Sequence, residues 1–266
     1  MRELRHRPVV RGPRDRSDGV LDRAADGLLA LCFPDTCVAC GEPLARRRDY
    51  GVCGACWRRV ADLELEPPWC PSCGIPSSAS SGAGEVCIPC LLEPPCYSGA
   101  RAVGYYAGEL RALIRALKFD QRRDLRYLLA PRLAAACLSE WRPGDLDAVV
   151  PVPLHPTRQR ERGFNQAALL ARTLAPYLGL PCAEHVLRRA QHTRPQVGLS
   201  LADRLRNVRG AFRASGRGAL RGLRILLVDD VMTTGATVSS AAAALLEGGA
   251  LRVSVVSVAR AVDGID

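Results

Sequence analysis

A chain of 266 residues, 48% of them hydrophobic, is long enough to bury one large core and to carry a small additional domain. No apolar run reaches the roughly 18 to 20 residues of a membrane span, and the basic N-terminus lacks the apolar segment of a signal peptide, so we expect a cytoplasmic protein. The net charge of +10 permits a nucleic-acid partner. It is weak evidence for one, because Lys118 is the only lysine and an Arg-, Ala- and Gly-rich composition is typical of a GC-rich genome.

Residues 1–27 are expected to form a disordered basic leader. The following segment, 28–96, carries most of the twelve cysteines, which favour metal over disulfides in a chain without a secretion signal. The pattern C-x-x-C-G-x-P occurs twice, within 37–44 and 70–77, and a second C-x-x-C pair follows each copy. Four thiolates in two such pairs suit a tetrahedral zinc ion. We therefore predict a double zinc ribbon with two structural zinc ions and eight ligands: Cys37, Cys40, Cys53, Cys56, Cys70, Cys73, Cys87 and Cys90.

The pairing of these cysteines has two possible forms. Only Cys40 and Cys73 are followed by a glycine, which fits a tight knuckle turn and favours two consecutive ribbons. A cross-braced pairing stays open because the gaps between the pairs are almost equal. A redox role for one pair is disfavoured, because no pair is predicted at a helix start, where a thiol gains a low pKa. The other cysteines are expected to be small buried apolar residues: Cys32, Cys96, Cys137 and Cys182.

Residues 97–266 alternate between strand and helix patterns, which predicts an α/β domain with a parallel sheet and helices on both faces. Strands are predicted at 99–108, 145–155, 183–190, 225–228 and 251–261, and helices at 109–120, 125–138, 163–179 and 236–247. The helix at 109–120 carries apolar residues at helical spacing. Its basic residues are expected on a solvated face: Arg111, Arg115 and Lys118.

The strand predicted at 225–228 continues directly into Asp229 and Asp230 and then into a loop of small and hydroxyl-bearing residues. Open α/β sheets bind their ligands at the carboxyl ends of the strands. Free amides at the start of the next helix, together with the loop hydroxyls, are suited to a phosphate. The stretch therefore predicts a site for a ligand that has both hydroxyl and phosphate groups.

Two further stretches fit such a ligand. Residues 153–166 place Arg158, Arg160 and Arg162 ahead of a helix, and the guanidinium fork matches the oxygens of a polyphosphate. A solvated basic loop is the alternative. Residues 189–207 form a long polar connection of the kind that often serves as a lid, although part of it could be a short helix.

Taken together, these stretches resemble the type I phosphoribosyltransferases and, more closely, the ComF family, which joins a zinc ribbon to such a domain. The resemblance covers nearly the whole chain from about residue 28. It rests on "LLVDDVMTTGAT", "VPVPLHPTRQRERGFNQ", the pattern T-x-x-Q-x-x-L-x-x-x-x-R-x-x-N at 193–207, and the repeated C-x-x-C pairs.

The resemblance implies a role for each motif in binding phosphoribosyl pyrophosphate (PRPP) with Mg²⁺. Asp229 and Asp230 would hold the ribose hydroxyls, and residues 155–162 would form a pyrophosphate loop. Residues 193–207 would form a mobile hood. The implied catalytic residues are Asp229, Asp230, Arg158 and Arg162. The implied PRPP-binding residues are Asp229, Asp230, Thr233, Thr234, Gly235, Ala236, Thr237, His155, Arg158, Gln196 and Arg204.

Three functions remain open at this point. The first is phosphoribosyl transfer to an unknown acceptor, and the second is binding of PRPP as a signal without catalysis. The third, compatible with either, is the handling of single-stranded DNA in natural transformation, with competence proteins as partners, which the ComF resemblance implies. A glutamine amidotransferase is disfavoured, because Cys32 and Cys37 lie inside the chain rather than at an N-terminus that could release ammonia.

Overall fold

The computed structural model describes residues 36–44, 50–76, 84–142, 144–189, 210–215, 218, 220–262 and 264. In chain order the helices are α1 (Gly54–Ala61), α2 (Ile88–Leu92), α3 (Gly108–Phe119), α4 (Arg126–Leu138), α5 (Pro156–Arg162), α6 (Gln166–Leu178) and α7 (Ala236–Glu247). The strands are β1 (Gly99–Tyr105), β2 (Ala148–Pro151), β3 (Leu187–Arg189), β4 (Phe212–Ala214), β5 (Arg224–Met232) and β6 (Arg252–Arg260). A 3₁₀ turn at Arg123–Leu125 precedes α4.

Four strands form a parallel sheet in the order β1-β6-β5-β2, as the alternation of elements predicts. Successive side chains of a strand point to opposite faces, and β5 shows the result. Leu226 and Val228 lie in one apolar cluster with α3, α4 and α6, whereas Ile225 and Leu227 lie in a second cluster with α7. The helices thus cover both faces of the sheet, and the strand is buried on both sides.

Two expectations about local structure are wrong. The strand predicted at 183–190 does not join the parallel sheet, because β3 pairs antiparallel with β4 in a separate ribbon of two strands. The segment 155–162, expected to form a pyrophosphate loop, is mostly the short helix α5. His155 is the N-cap of α5, and its Nδ1 accepts a hydrogen bond from the amide of Thr157 at 3.3 Å.

The cysteine knuckles pack into the same cores as the sheet. Cys37 and Cys56 lie in the cluster that contains α3 and α4, and Cys70 and Cys73 lie in the cluster that contains α7. The chain between the two knuckle segments also pairs with the free edge of β1. There the amide of Tyr105 donates to the carbonyl of Leu63 at 2.8 Å, and this contact shields a strand edge that would otherwise be exposed.

A glycine permits this edge contact. An ideal Cβ on Gly104 of β1 would lie 2.5 Å from the carbonyl oxygen of Leu63, which is too short for any side chain. In the part of the chain that the structure describes, no helix is long and apolar enough to cross a membrane.

Candidate functional site

The aspartate pair lies inside β5 rather than after its end. The strand predicted to stop at Val228 continues to Met232, because β6 pairs with it as far as the register Met232↔Arg260. On the opposite edge, β2 pairs with β5 only to Pro151↔Val228. Asp229 and Asp230 therefore lie where one neighbouring strand has ended and the other continues, and a cavity of about 290 Å³ opens there.

Several predicted residues line this cavity together, namely Asp229, Asp230, Arg158, Arg162, Thr233 and Thr237. His155, Thr234 and Ala236 are next in the chain to lining residues but are not among them, and Gly235, between Thr234 and Ala236, does not line the cavity either. Gln196 and Arg204, with the rest of the predicted hood, lie outside the described residues.

The carboxylates of the pair differ in their surroundings. Asp230 is 9% exposed and forms an ion pair with Lys118, whose Nζ lies 3.1 Å from Oδ1. The Asp229 carboxylate accepts a hydrogen bond of 2.9 Å from the amide of Asp230. Burial and then the charge of Asp230 raise the pKa of Asp229 to about 7, against the lowering effect of Lys118 and Arg189. Without a ligand, the Lys118 ammonium therefore balances part of the negative charge of the Asp229–Asp230 pair.

Lys118 corrects the expectation of a solvated helix face. It lies in the last turn of α3, its side chain is 16% exposed, and it lines the cavity. Other lining residues were also missed, among them Tyr106 after β1, Arg189 at the end of β3 and Gln166 at the start of α6. Sequence periodicity identified the apolar face of α3 but could not show that its polar edge borders the site. The one available signal was that Lys118 is the only lysine of the chain.

Residues 165 and 166 line the same cavity as the arginines. Asn165 caps α6 through its Oδ1, which accepts from the amide of Ala167 at 3.0 Å, and its Nδ2 donates to the carbonyl of Val152. Gln166 is 1% exposed and lines the cavity, yet neither its amide oxygen nor its amide nitrogen has a partner among the described residues. A buried unpaired amide favours a polar ligand at this place.

The loop after β5 leads through a left-handed glycine into the first turn of α7. Gly235 has φ +81°, a left-handed conformation that favours glycine, and it is the N-cap of α7. The hydroxyl of Thr234 accepts a hydrogen bond of 3.4 Å from the amide of Ala236, and Thr233 and Thr237 place further hydroxyls at the cavity. The first amides of a helix attract a negatively charged group.

The eight paired cysteines form two clusters. Cys37, Cys40, Cys53 and Cys56 form one and Cys70, Cys73, Cys87 and Cys90 the other, and in each the four Sγ atoms lie within 4.8 Å of one another. The pairing is therefore consecutive, and the cross-braced alternative is wrong. Tetrahedral zinc with Zn–S bonds of about 2.3 Å places sulfur atoms about 3.8 Å apart. The Sγ atoms of Cys40 and Cys53 are 3.8 Å apart, and those of Cys73 and Cys87 are 3.6 Å apart, so both clusters fit zinc.

Two expectations about the cysteines are wrong, that no C-x-x-C pair begins a helix and that Cys96 is buried. Cys53 and Cys87 are the N-caps of α1 and α2, so two of the pairs do begin helices. Convergence of four sulfurs in each cluster nonetheless favours a metal ion over a redox pair. Cys96 is exposed, whereas Cys137 is buried as expected. Cys182 is partly buried, and Cys32 lies outside the described residues.

The first cysteine cluster is in contact with an arginine. Arg59 donates to the Cys56 sulfur at 3.0 Å and is also paired with Glu109. In the second cluster, burial raises the pKa of Cys73 to about 11, and the charge of Arg260 acts in the opposite direction. The Arg59 guanidinium therefore offsets part of the negative charge of the thiolates in the first cluster.

Comparisons with known proteins agree with this geometry. The family model of the double zinc ribbon domain matches residues 28–91, and that of the phosphoribosyl transferase domain matches residues 161–264. DNA utilization protein YhgH of Salmonella typhimurium is 36% identical over 228 residues, which is 85% of this chain and 96% of the relative. Competence protein F of Haemophilus influenzae is 32% identical over 233 residues, which is 86% of this chain and 98% of the relative. Competence protein ComFC of Bacillus subtilis is 31% identical over 208 residues, which is 76% of this chain and 80% of the relative.

Among solved structures, the glutamine PRPP amidotransferase of B. subtilis aligns with a TM-score of 0.35 and 27% identity, over 50% of this chain and 26% of that one. This chain thus spans about a quarter of that structure. Adenine phosphoribosyltransferase of Saccharomyces cerevisiae aligns with a TM-score of 0.28 and 16% identity, over 58% of this chain and 69% of that one.

The sheet, its aspartate-bearing strand and the two cysteine clusters define a protein with a phosphoribosyltransferase domain and a double zinc ribbon. The chain belongs to the ComF family, as the similarity to Competence protein F and ComFC over most of its length shows.

Proposed function

We propose that this protein binds PRPP together with Mg²⁺ in the cavity at β5 and transfers its phosphoribosyl group to an acceptor. One observation carries the proposal: two carboxylates, Arg158 and Arg162, and the loop that begins α7 all border the same cavity. Carboxylates suit ribose hydroxyls, arginines suit pyrophosphate, and the helix start suits a 5′-phosphate.

The proposed roles follow from the chemistry of the bond that breaks. The bond between C1′ and the pyrophosphate oxygen breaks with its electron pair on pyrophosphate, and the acceptor's lone pair forms the new bond to C1′. The guanidinium groups of Arg158 and Arg162 stabilise the negative charge of the leaving group. Mg²⁺ carried by the substrate oxygens would add positive charge there. No protein nucleophile is required.

Lys118 and Gln166 extend the proposed site beyond the motifs. The Lys118 ammonium is paired with Asp230 and borders the cavity, so it becomes available to pyrophosphate when ribose hydroxyls occupy the carboxylates. The unpaired amide of Gln166 offers a donating NH₂ group and an accepting oxygen to the same ligand.

Calorimetry with PRPP and Mg²⁺ tests the binding step. Asp229→Asn combined with Asp230→Asn should weaken binding by at least about tenfold, because charged hydrogen bonds contribute about 1.5–3 kcal/mol each. Asp147→Asn, at the opposite end of the β2–β5 pair, is the matched control and should bind PRPP as the wild type does. Equal binding by all variants would contradict the site assignment.

A second measurement separates transfer from sensing. Pyrophosphate release from PRPP is followed with and without candidate bases and amines. Release that depends on an acceptor supports a transferase. Tight PRPP binding without release of pyrophosphate under any condition favours the alternative function, a non-catalytic PRPP sensor.

We propose a second function, contact with single-stranded DNA, on a separate observation. A groove of about 590 Å³ between α4 and α6 is lined by Arg126, Tyr127, Arg172 and Tyr177. Tyr127 is 38% exposed, its ring centroid lies 5.7 Å from that of Tyr50, and the Arg126 guanidinium lies 4.3 Å from its ring centroid. Exposed aromatic rings beside arginines suit stacked bases and their phosphates. The relatives' names, "DNA utilization protein" and "Competence protein", are consistent with such a partner.

Filter retention of a labelled oligonucleotide tests this groove. Tyr127→Ala should weaken retention by about tenfold, because stacking of one base contributes about 1–3 kcal/mol. Arg221→Ala removes an exposed arginine beside Gly249, away from the groove, and is the matched control. Loss of retention in both variants, or in neither, would exclude the groove as the DNA surface.

A further inference from the structure

A short segment after α3 connects two parts of the cavity wall. Residues 119–123 lead from the end of α3 at Phe119 into the 3₁₀ turn. Immediately before this segment, the Lys118 ammonium lies 3.1 Å from the Asp230 carboxylate, which fixes the end of α3 to the aspartate pair. The segment itself contacts the end of α5, where Arg162 lines the cavity. One stretch of chain therefore joins the carboxylates to an arginine of the site.

Three contacts hold the end of α5 against this segment. The side-chain Nε2 of Gln121 donates a hydrogen bond of 2.9 Å to the backbone carbonyl of Arg162. The Arg162 guanidinium carbon lies 5.0 Å from the ring centroid of Phe119, and the Arg123 guanidinium carbon lies 4.6 Å from that of Phe164. Cations at such distances over aromatic faces are attracted to them. Both the backbone and the side chain of Arg162 are thus placed by residues 119–123.

Gln121 adopts a backbone conformation that is unfavourable for its residue type. Its φ of +58° lies in the left-handed region, where glycine would fit without strain. What the glutamine adds is its side-chain amide, which has a partner at each end. Nε2 donates to the Arg162 carbonyl, and Oε1 accepts a hydrogen bond of 3.0 Å from Nη2 of Arg123. A residue that its contacts hold in a strained conformation is typical of functional sites.

We propose that Gln121 is a positioning residue that sets where Arg162 presents its guanidinium to the pyrophosphate group of PRPP. The Gln121 amide fixes the backbone of Arg162, and the Phe119 ring supports the guanidinium. The ion pair between Lys118 and Asp230 fixes the same segment relative to the carboxylates. The segment thereby contributes to the selectivity of the site for a ligand with pyrophosphate over a ligand with one phosphate. This inference rests on the proposed function and adds a residue outside the cavity to it.

Calorimetry of the full-length protein with Mg²⁺ compares two ligands, PRPP and ribose 5-phosphate. The second ligand has the ribose hydroxyls and the 5′-phosphate but lacks the pyrophosphate that Arg162 would bind. Gln121→Gly removes both amide contacts and relieves the strained φ. It should weaken PRPP binding by about two- to tenfold, which is the effect of one neutral hydrogen bond, and leave ribose 5-phosphate binding unchanged. A merely structural role would weaken the binding of both ligands alike.

Two further variants separate positioning from a folding defect. Gln121→Asn tolerates the left-handed conformation, but its shorter side chain does not reach the Arg162 carbonyl, so it should show the same selective loss of PRPP binding. Ser139→Ala is the matched control. The Ser139 hydroxyl also donates to a backbone carbonyl at 2.9 Å, that of Ala136, but at the end of α4 away from the 3₁₀ turn. This variant should bind both ligands as the wild type does.

Hydrogen exchange gives a readout that needs no ligand. The amides of residues 162–164 should exchange faster in Gln121→Gly than in the wild type, and those of α6 should not change. Unchanged exchange at 162–164 overturns the inference, and so does a Gln121→Gly variant that binds PRPP as the wild type does or loses both ligands by the same factor. A wild type that binds no PRPP contradicts the proposed function itself, and the role of Gln121 toward pyrophosphate then fails with it.

Discussion

At the scale of single residues, Asp229 sets a pH dependence that a surface carboxylate would not have. Burial and the Asp230 charge raise its pKa from 3.8 to about 7. The folded state therefore holds this proton where the unfolded state has lost it, and the ligand-free fold loses stability as pH rises from about 4 to about 7. In the proposed PRPP complex the ribose hydroxyls donate to the ionised Asp229 carboxylate, so ligand binding should strengthen as pH rises while the stability of the ligand-free fold falls.

The raised pKa of Asp229 leads to a prediction for the variant Asp229→Asn. PRPP binding by the wild type should strengthen as pH rises through about 7, and the variant should bind weakly at every pH. Without ligand, the variant should melt at a higher temperature than the wild type above about pH 7, because it carries no buried charge beside Asp230. Calorimetry and thermal unfolding across this pH range provide the measurements. A variant that is less stable than the wild type at high pH would contradict the raised pKa.

Single residues also show where sequence reasoning stops. The two aspartates were predicted because they directly follow an apolar strand pattern. The arginines at 158 and 162 were predicted because they lie shortly before a helix pattern, and both patterns involve only neighbouring residues. Lys118 was missed, since it reaches the cavity from a helix more than a hundred residues away along the chain. Gln166 was missed because only tertiary packing leaves its amide buried and unpaired.

At the scale of elements, the order of strands and helices was predictable and the strand ends were not. The pattern of apolar residues gave β5 as 225–228, yet pairing with β6 extends it through two charged residues to Met232. The same kind of long-range pairing places β3 with β4 instead of in the main sheet. The spacing of apolar residues shows which face of an element is buried. The length of a strand also depends on the strand that pairs with it, and that strand lies elsewhere in the sequence.

An ion pair at the opposite end of β5 supports a prediction at this scale. Arg224 begins β5, and its Nε and Nη2 donate to Asp147, which precedes β2, at 2.9 and 2.7 Å. The hydrogen bonds from the Arg224 side chain and then from its amide lower the pKa of Asp147 to about 2. A lowered pKa contributes stability that is present above the ordinary value of 3.8 and is lost as pH falls through about 2.

Asp147→Asn should therefore unfold at a lower urea concentration than the wild type at neutral pH. The difference between the two midpoints should shrink as pH is lowered from about 4 to about 2, because in this range the Asp147 carboxylate of the unfolded wild type is protonated while the folded state still holds it ionised. PRPP binding should not change, since Asp147 lies at the amino end of the strand pair. A constant difference at all pH values would show that the lost interaction is not ionic.

At the scale of the whole molecule, the cysteine clusters are built into the cores of the sheet. The sequence suggested a ribbon segment at 28–96 that folds as a satellite of a domain at 97–266, and that boundary stays a prediction. Cys37 and Cys56 share one core with α3 and α4, and Cys70 and Cys73 share the other with α7. Residues 63–65 also cover the free edge of β1. Contacts of this kind favour one cooperative unit over two independent ones.

Removal of zinc should therefore destabilise the sheet as well as the ribbons. Zinc binding to the folded state contributes directly to folding free energy, so a chelator, or Cys37→Ser combined with Cys40→Ser, should lower a single unfolding transition by about 5–10 °C. Circular dichroism follows the sheet and helices, and metal analysis counts the ions released. Cys96→Ser changes an exposed cysteine outside both clusters and should leave the transition and the zinc content unchanged. If the sheet instead melts at the wild-type temperature after the first ribbon has lost its zinc, that ribbon is a satellite and the shared core around Cys37 and Cys56 does not couple it to the sheet.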